Sequence, residues 1–284
     1  MVDPQSLEGS RGQHPARELR NLGRSSDRRL SQSFLCEPAI AEAMVRAADL
    51  RPTDTVLEIG PGLGILTRPL LQNAGHVVCI ELDSVLANEL PRALGSPSNL
   101  EVVHDDALKV DLARYLDEPY VAVGSLPYHV ATPILFKLAF EHPRPTRIVA
   151  MLQQEVAERL AAHRTTNTFL SIAFGLVATA RVLRRVSPGA FFPVPKVRSA
   201  VVELDLRREP LVPESDLAAL VTFLHAGYAQ PRQQLHNSLA RGLGVLPTEA
   251  RRIIQSAGID STLRPGALGI GEWLALYTAY RGAQ

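Results

Sequence analysis

Glycines and acids follow strand-like segments in the first half of the chain, in a pattern suited to binding a nucleoside. Gly60, Gly62 and Gly64 follow the apolar segment 55–59 and precede a segment with helical periodicity. Glycine at such a turn lets the backbone bend tightly and lets a ligand approach it closely. A dinucleotide-binding fingerprint would place glycine at position 65, where this sequence has Ile65. The spacing therefore does not favour a dinucleotide site.

Three acids lie near the ends of successive predicted strands. Glu58 precedes the glycines, Glu81 ends the next apolar segment, and Asp106 follows the third. A carboxylate at the position of Glu81 can accept hydrogen bonds from both ribose hydroxyls of a nucleoside. Because carboxylates repel a pyrophosphate, the set favours a ligand with a ribose, a base amine and a positive centre, such as S-adenosylmethionine. For Asp83 or Asp106 alone, simple helix capping is the alternative.

A serine, a proline and a tyrosine follow the fourth predicted strand, in residues 124–128 with the sequence GSLPY. Pro127 fixes its own φ and keeps Leu126 out of the helical region, which leaves backbone carbonyls available. Ser125 and the carbonyl of Leu126 can accept the two hydrogens of an exocyclic amine, and Tyr128 can stack on the base. These three residues are the candidate catalytic group. The alternative is an ordinary proline turn with a core tyrosine.

Composition and charge limit the class of protein. The chain has 284 residues, 46% of them hydrophobic, and a formal net charge of +1, so it can build a sizeable core. Its apolar runs are shorter than the roughly 18 residues of a membrane span, and its start lacks a signal-peptide pattern. We therefore expect a cytoplasmic monomer with no membrane partner. Cys36 and Cys79 lack metal-ligand spacing, which predicts no metal and no disulfide framework.

Alternating segments predict an α/β fold with a doubly wound parallel sheet. The strand-like segments are 55–59, 76–82, 100–104, 120–124 and 147–152. Helix-period segments such as 39–50 and 84–94 separate them. Two later strand candidates, 180–187 and 199–206, suggest an antiparallel edge pair. Beyond a proline-rich linker near residue 210 only helical patterns occur, at 214–228, 232–241, 248–257 and 271–281.

These patterns divide the chain into three regions. Residues 1–27 are rich in Arg, Ser, Gly and Pro without an apolar period, which predicts a flexible tail. Residues 28–209 form the α/β domain and residues 210–284 a small all-helical domain.

Basic residues cluster between positions 181 and 208, a stretch that we call the basic segment. Its seven basic residues are Arg181, Arg184, Arg185, Lys196, Arg198, Arg207 and Arg208. Against them stand only Glu203 and Asp205, so the segment is locally +5. We predict that Arg184, Arg185, Lys196 and Arg198 include contacts to RNA phosphates. The alternative is that they decorate the solvated outer faces of strands.

Ordered motifs along the chain resemble the small-subunit ribosomal RNA adenine N6,N6-dimethyltransferases, the kasugamycin-resistance family. The motifs are RRLSQSFL (28–35), EIGPGLG (58–64), CIELD (79–83), HDDAL (104–108), GSLPYHVATPIL (124–135), MLQQEVAERL (151–160) and GAFFPVPKVRSAVVEL (189–204). The resemblance covers about residues 28–282. It implies a Rossmann-like class I S-adenosylmethionine-dependent methyltransferase domain followed by a helical RNA-recognition domain. It also implies dimethylation of two adjacent adenines in the 3′-terminal hairpin of 16S ribosomal RNA, within the small subunit.

Carried over by position, the resemblance assigns roles to individual residues. The implied cofactor contacts are Ser33, Leu35, Gly60, Gly62, Glu81, Asp106 and Ser125, and the implied amine site is Ser125, Leu126 and Tyr128. Two positions depart from the family pattern, because the family usually has asparagine where this chain has Ser33 and Ser125. The stretch 231–236 also carries fewer basic residues than is usual, which predicts fewer phosphate contacts.

Three functions fit the sequence. The first is dimethylation of small-subunit RNA. The second is a diverged paralog that methylates another RNA, such as the 23S adenine modified by the related erythromycin-resistance enzymes. The third is a non-catalytic ribosome-assembly factor that has kept the fold. The form of residues 191–204 and the C-terminal NSL (237–239) favour the first, whereas the serine substitutions and the reduced number of basic residues keep the second open.

Overall fold

The computed structural model describes residues 15–23, 33–162 and 167–283. Their contacts divide the chain into two compact units. The first unit contains the described residues up to Ala157 together with Val182–Leu206, and the second contains Glu158–Arg181 and the chain from Arg207 onward.

Strands form where β-branched and apolar residues run together. They are β1 (Phe34–Leu35), β2 (Thr55–Ile59), β3 (His76–Glu81), β4 (Leu100–His104), β5 (Val121–Ser125), β6 (Arg147–Gln153), β7 (Ala178–Val186), β8 (Phe191–Phe192) and β9 (Ser199–Leu206). Among the described residues, seven of them form one sheet in the order β4-β3-β2-β5-β6-β9-β7. The predicted α/β sheet is confirmed, and the bounds of β2, β4 and β9 match the predicted segments.

The direction of the strands places the ends of several of them at one edge of this sheet. Strands β2 to β6 pair in parallel, so their carboxyl ends meet at what we call the carboxyl edge. Strand β9 runs antiparallel to β6, with Ser199 opposite Gln153, so β9 begins at that same edge. The chain order reverses where β2 lies between β3 and β5. In doubly wound sheets ligands bind at such a switch point, beyond the carboxyl ends of the strands.

Helices lie before β1, between strands and in most of the chain after β9. They are α1 (Pro15–Asn21), α2 (Pro38–Ala48), α3 (Thr67–Asn73), α4 (Ser84–Ala93), α5 (Ala131–Phe140), α6 (Gln154–Leu160), α7 (Phe169–Gly175), α8 (Glu214–Gly227), α9 (Leu235–Leu243), α10 (Pro247–Ser256) and α11 (Ile270–Gly282). Helix α2 starts with proline in its first turn and buries Ile40 and Met44 in the core of the sheet. None of the described helices is long and apolar enough to span a membrane.

The second unit is built around a tryptophan. Trp273 of α11 is 1% exposed and contacts the rings of Phe223 and Tyr228 from α8 and its end. Gly227 lets α8 approach it, since a Cβ at this position would lie 2.4 Å from the indole ring. The aromatic cluster therefore fixes how α8 and α11 pack.

The unit boundaries differ from the predicted domains in one stretch. Residues 158–181 belong to the second unit, although the sequence pattern placed them in the α/β domain. The reason is packing: Asn167 donates to the carbonyl of Leu268 at 2.9 Å, and α7 packs against α8. The second boundary, at Arg207, lies close to the predicted one at 210.

The predicted flexible tail is wrong for part of its length. Residues 15–23 contain helix α1, whose Leu19 is 3% exposed. The composition of the tail concealed this helix because only Pro15 and Leu19 supply its buried side. The rest of the predicted tail, 1–14 and 24–27, lies outside the described residues.

Candidate active site

A cavity of about 290 Å³ opens at the carboxyl edge of the sheet. Every residue predicted for the cofactor and amine sites lines it: Ser33, Leu35, Gly60, Gly62, Glu81, Asp106, Ser125, Leu126 and Tyr128. Five segments that are far apart in sequence therefore meet around one space. The individual roles of these residues stay predictions.

The glycine turn after β2 forms one wall of the cavity. Gly60 and Gly62 both have positive φ, 70° and 56°, which other residues adopt only with strain. The N–H of Gly62 donates to Oε2 of Glu81 at 3.0 Å. A Cβ on Gly62 would also lie 3.2 Å from the ring of Phe34. Glycine is thus required here by backbone conformation and tightly constrained by the neighbouring ring.

Glu81 holds the cavity wall together while facing the cavity. It is 7% exposed, and its two carboxylate oxygens accept the backbone N–H groups of Gly62 and Asp83, at 3.0 and 2.9 Å. Burial raises the pKa of Glu81, and these backbone hydrogen bonds offset the rise in part. A carboxylate has about four lone-pair sites, so acceptor capacity remains on both oxygens.

Glu58 is a second buried acid at the cavity. It is 1% exposed, and the Sγ of Cys79 lies 3.5 Å from its Oε2. Burial raises the pKa of Glu58 to about 7, and the hydroxyl of Thr67 and the thiol of Cys79 lower it only in part. Glu58 was predicted as one of three acids near strand ends but was not assigned to the cofactor or amine site.

Two of the acids near the strand ends also act locally. Asp83 caps α4, accepting the N–H groups of Val85 and Leu86 at 2.9 and 3.3 Å. Asp106 accepts the N–H of Leu108 at 2.9 Å and forms an ion pair with Lys109 at 3.5 Å. The capping interpretation is thus confirmed for Asp83, whereas Asp106 both closes its turn and lines the cavity.

The charge around the cavity is one-sided. Four carboxyl groups line it, those of Glu58, Glu81, Asp105 and Asp106. Among the described lining residues there is no lysine and no arginine. Burial strengthens the field of such a group of acids, because little water screens it. The arrangement favours a ligand with a positive centre over a phosphate.

The turn after β5, residues 125–128, forms the facing wall, and we call it the amine turn. Two hydrogen bonds hold its backbone, from the N–H of Leu126 to the carbonyl of Met151 and from the N–H of Val130 to the carbonyl of Pro127, both at 3.1 Å. The described residues offer no donor to the carbonyl of Leu126 and no hydrogen-bond partner to the hydroxyl of Ser125. Two acceptors are thus available at the cavity, the hydroxyl of Ser125 and the carbonyl of Leu126; for the carbonyl this agrees with the effect expected of Pro127.

Tyr128 is the last residue of this turn and lines the cavity. Its hydroxyl lies 2.7 Å from the hydroxyl of Ser199, the first residue of β9. Burial raises the pKa of Tyr128, so the phenol stays protonated at neutral pH. The sequence could not indicate Ser199, because 71 residues separate the two side chains.

Two exposed leucines at the cavity were also missed. Leu82 and Leu108 are 51% and 37% exposed, and both line the cavity beside the acids Glu81 and Asp106. Large apolar side chains exposed at a cavity suit a flat apolar ligand surface such as a base. The sequence signal for them was their spacing from the acids. Leu82 directly follows Glu81, and Leu108 lies two residues after Asp106.

The four residues predicted to contact RNA lie outside the cavity and are exposed. Arg184 and Arg185 are on β7, the last strand of the sheet, and Lys196 and Arg198 are in the connection from β8 to β9. The two acids of the basic segment, Glu203 and Asp205, form ion pairs with Arg147 of β6 at 3.6 and 2.7 Å. Both acids therefore lie beside a basic residue outside the segment.

Comparisons with known proteins agree with this geometry. Residues 23–281 match the family model described as ribosomal RNA adenine dimethylase. A ribosomal RNA small subunit methyltransferase A of Desulfitobacterium hafniense (strain DSM 10664 / DCB-2) is 38% identical over 269 residues, covering 93% of this chain and 95% of the relative.

Two solved structures share the fold. A dimethyladenosine transferase from Plasmodium falciparum has a TM-score of 0.75 and 25% identity, covering 88% of this chain and 98% of that one. The 23S rRNA methyltransferase ErmE has a TM-score of 0.68 and 27% identity, covering 87% and 98%. The chain therefore belongs to the ribosomal RNA adenine dimethylase family and is a ribosomal RNA adenine dimethyltransferase.

Proposed function

We propose that this protein transfers methyl groups from S-adenosylmethionine to the exocyclic amines of two adjacent adenines in the 3′-terminal hairpin of 16S ribosomal RNA. The observation that carries the proposal is the cavity itself. An acid-lined pocket for a cationic ligand and a turn with two available acceptors share one space. Its substrate would be the small ribosomal subunit, with the protein acting as a monomer.

The cavity fits S-adenosylmethionine by the chemistry of its lining. Glu81 would bind the ribose hydroxyls, Leu82 and Leu108 would contact the faces of its adenine, and the remaining acids would favour its positive charge. When bound, this cofactor supplies a methyl group on a sulfonium, which leaves as a neutral thioether. The backbone of Gly60 and Gly62 allows close approach of the cofactor.

The amine turn would orient the target nitrogen. The ring of an adenine delocalises the lone pair of its exocyclic amine, which makes the amine a poor nucleophile. Ser125 and the carbonyl of Leu126 would accept its two hydrogens and so favour a pyramidal nitrogen, with the lone pair toward the methyl group. In methyl transfer the new N–C bond would form as the C–S bond breaks, and the proton lost by the amine would pass to water. Tyr128 would stack on the extruded base.

The choice of RNA rests on the relatives. The chain is 38% identical to a protein named for the small subunit and 27% identical to one named for 23S RNA. Both identities cover most of the chain. The higher one supports the small subunit, and the basic segment supplies exposed cations for its phosphates.

Variants of Ser125 test the proposed chemistry. Ser125→Ala should lower the single-turnover rate of methyl transfer more than it lowers cofactor affinity, because it removes an acceptor of the amine. Ser125→Asn should preserve or raise that rate, since it restores an acceptor with longer reach. The measurement uses radiolabelled cofactor and small subunits from a strain that lacks the modification. Ser215→Ala, an exposed serine on α8, is the matched control.

The location of the product tests the proposed substrate. Primer extension on both ribosomal RNAs should stop at two adjacent adenines near the 3′ end of 16S RNA. A stop in 23S RNA would instead identify a diverged paralog. If the protein bound the cofactor but methylated neither RNA, or if Ser125→Ala matched the wild type while Ser125→Asn was inactive, the proposal would be wrong.

A further inference from the structure

The phenol of Tyr128 is bonded to a hydroxyl from a distant part of the chain. Tyr128 Oη and Ser199 Oγ lie 2.7 Å apart. Ser199 is 0% exposed, whereas Tyr128 is half-buried and lines the cavity. We propose that Ser199 is a positioning residue for methyl transfer, which fixes the Tyr128 ring as the platform for the target adenine. This role depends on the proposed function of the amine turn.

Sheet topology brings the two side chains together. Tyr128 lies three residues beyond Ser125, which ends β5 opposite Met151 of β6. Ser199 begins β9, which lies on the other side of β6. Neighbouring strands are about 4.8 Å apart, so β5 and β9 are separated by about 10 Å. The hydrogen bond between Tyr128 and Ser199 therefore joins the chain after β5 to the start of β9, on the two sides of β6.

Anchoring the phenol oxygen fixes the long axis of the ring, and with it χ1, because rotation about χ2 leaves that oxygen in place. The ring of a tyrosine without this bond would swing about χ1 and change its position at the cavity. The position of the ring sets the position of a stacked adenine, and so where its amine lies relative to Ser125 and Leu126. Methyl transfer needs the reacting atoms aligned within narrow limits, so loss of the anchor should lower the rate of the chemical step.

The anchor also joins the base platform to the predicted RNA contacts. Ser199 directly follows Arg198, whose carbonyl accepts the N–H of Gln154 at 3.0 Å. Lys196 is two residues earlier in the same connection. Because β9 pairs with β6 from its first residue, the start of this strand is held by the sheet. The backbone at Arg198 and Ser199 is therefore held by the sheet, and it connects the predicted phosphate contacts to the residue that anchors the ring.

A purely structural role predicts different behaviour. A buried serine hydroxyl needs a hydrogen-bond partner, and Tyr128 supplies one even if the position of its ring does not affect methyl transfer. In that case Ser199→Ala would lower stability and leave the rate per folded molecule unchanged. Under the positioning role the rate itself falls, while cofactor affinity stays at the wild-type value because Ser199 does not line the cavity.

The test removes the bond from each side and restores it. Ser199→Ala and Tyr128→Phe should each lower the single-turnover rate on unmodified small subunits about fivefold to tenfold, as expected for one lost hydrogen bond. The double variant should be no slower than either single one, because both changes remove the same bond. Ser199→Thr keeps the hydroxyl and should recover most of the rate.

A spectroscopic readout follows the base itself. An RNA hairpin with 2-aminopurine at the target adenine should show quenched fluorescence when the extruded base stacks on Tyr128. Ser199→Ala should weaken this quenching at equal RNA occupancy. Ser171→Ala is the matched control, since Ser171 is 1% exposed and the substitution removes the hydrogen bonds of its hydroxyl with the N–H and the carbonyl of Thr168. It should lower stability without changing rate or quenching.

Each outcome decides the proposal. A slow Ser199→Ala enzyme with normal cofactor affinity, rescued by Ser199→Thr, supports it. A wild-type rate for Ser199→Ala overturns it, as does a slow Tyr128→Phe enzyme beside a normal Ser199→Ala enzyme, because the phenol then acts by itself. Should Ser199→Ala fail to fold, Tyr128→Phe with the quenching assay gives the answer. If the wild type methylates no ribosomal RNA, the proposed function fails and this role fails with it.

Discussion

At the scale of single residues, the site combines acids that differ in how the protein holds them. Burial raises the pKa of Glu81, and two backbone N–H groups favour its ionised form against that rise, whereas the described residues beside Glu58 offer a hydroxyl and a thiol. The carboxylate oxygens of Glu81 can accept further hydrogen bonds from a ligand. Glu58 carries a proton over part of the physiological range, and a cationic ligand in the cavity would favour its ionised form.

Glu58 should make stability depend on pH. Burial raises its pKa to about 7 from 4.5, so the folded protein holds a proton that the unfolded chain has already lost. The contribution of this proton to the free energy of unfolding is fully present below about pH 4.5 and is lost as the pH rises through about 7. Between pH 4 and pH 8 the wild type should lose about 3 kcal/mol of unfolding free energy relative to Glu58→Gln.

Urea unfolding at a series of pH values measures this difference. Glu141→Gln, at an exposed position, is the control and should follow the wild-type curve. Parallel curves for the wild type and Glu58→Gln would show that Glu58 titrates normally in the folded protein.

At the scale of elements, close helix packing in the second unit depends on glycine. A Cβ on Gly242 of α9 would lie 2.0 Å from the carbonyl oxygen of Ala226 in α8, and backbone atoms cannot move aside cheaply. Gly242→Ala should therefore destabilise the protein by about 2 kcal/mol or more, since it forces α8 and α9 apart. Thermal unfolding measures the change.

Gly271 provides the matched control for this prediction. It lies in the first turn of α11, and a Cβ there would have no atom within 4 Å. Gly271→Ala should leave stability unchanged or raise it by up to about 1 kcal/mol through helix propensity. Equal effects of the two substitutions would contradict the packing argument.

How much of the fold the sequence predicts depends on the kind of contact. Periodicity placed β2, β4 and β9 at their observed bounds because their apolar runs are flanked by clear turn signals. It placed residues 158–181 in the α/β domain because the contacts of Asn167 with the region of Leu268 join positions about 100 residues apart. Local patterns carry no information on such pairs.

The site follows the same division. Gly60, Glu81 and Ser125 were predictable because each sits at a strand end, where topology alone brings them together. The pairing of Tyr128 with Ser199 was not, since it depends on the placement of β9 two strands from β5. The raised pKa of Glu58 likewise results from burial by residues that no local pattern identifies.

At the scale of the whole molecule, charge is nearly balanced, so any attraction to RNA has to come from local clusters. The formal net charge is +1, and the acids of the basic segment are paired with Arg147. Arg184, Arg185, Lys196 and Arg198 are exposed on one unit and outside the cavity. The phosphate contacts that we predict for these residues would therefore not occupy the cavity.

Replacing these four residues by glutamine should weaken RNA binding and flatten its salt dependence. Each lost phosphate contact makes the negative slope of log K against log salt shallower by about one unit, because fewer counterions are released on binding. The matched variant replaces four other exposed arginines by glutamine, which lowers the net charge by the same four units: Arg46, Arg51, Arg92 and Arg114. Binding to small-subunit RNA, measured between about 50 and 200 mM salt, should show a reduced slope only for the first variant. Equal slopes for both variants would mean that net charge, not the basic segment, governs RNA binding, and these four residues would then be ordinary solvated strand and loop positions.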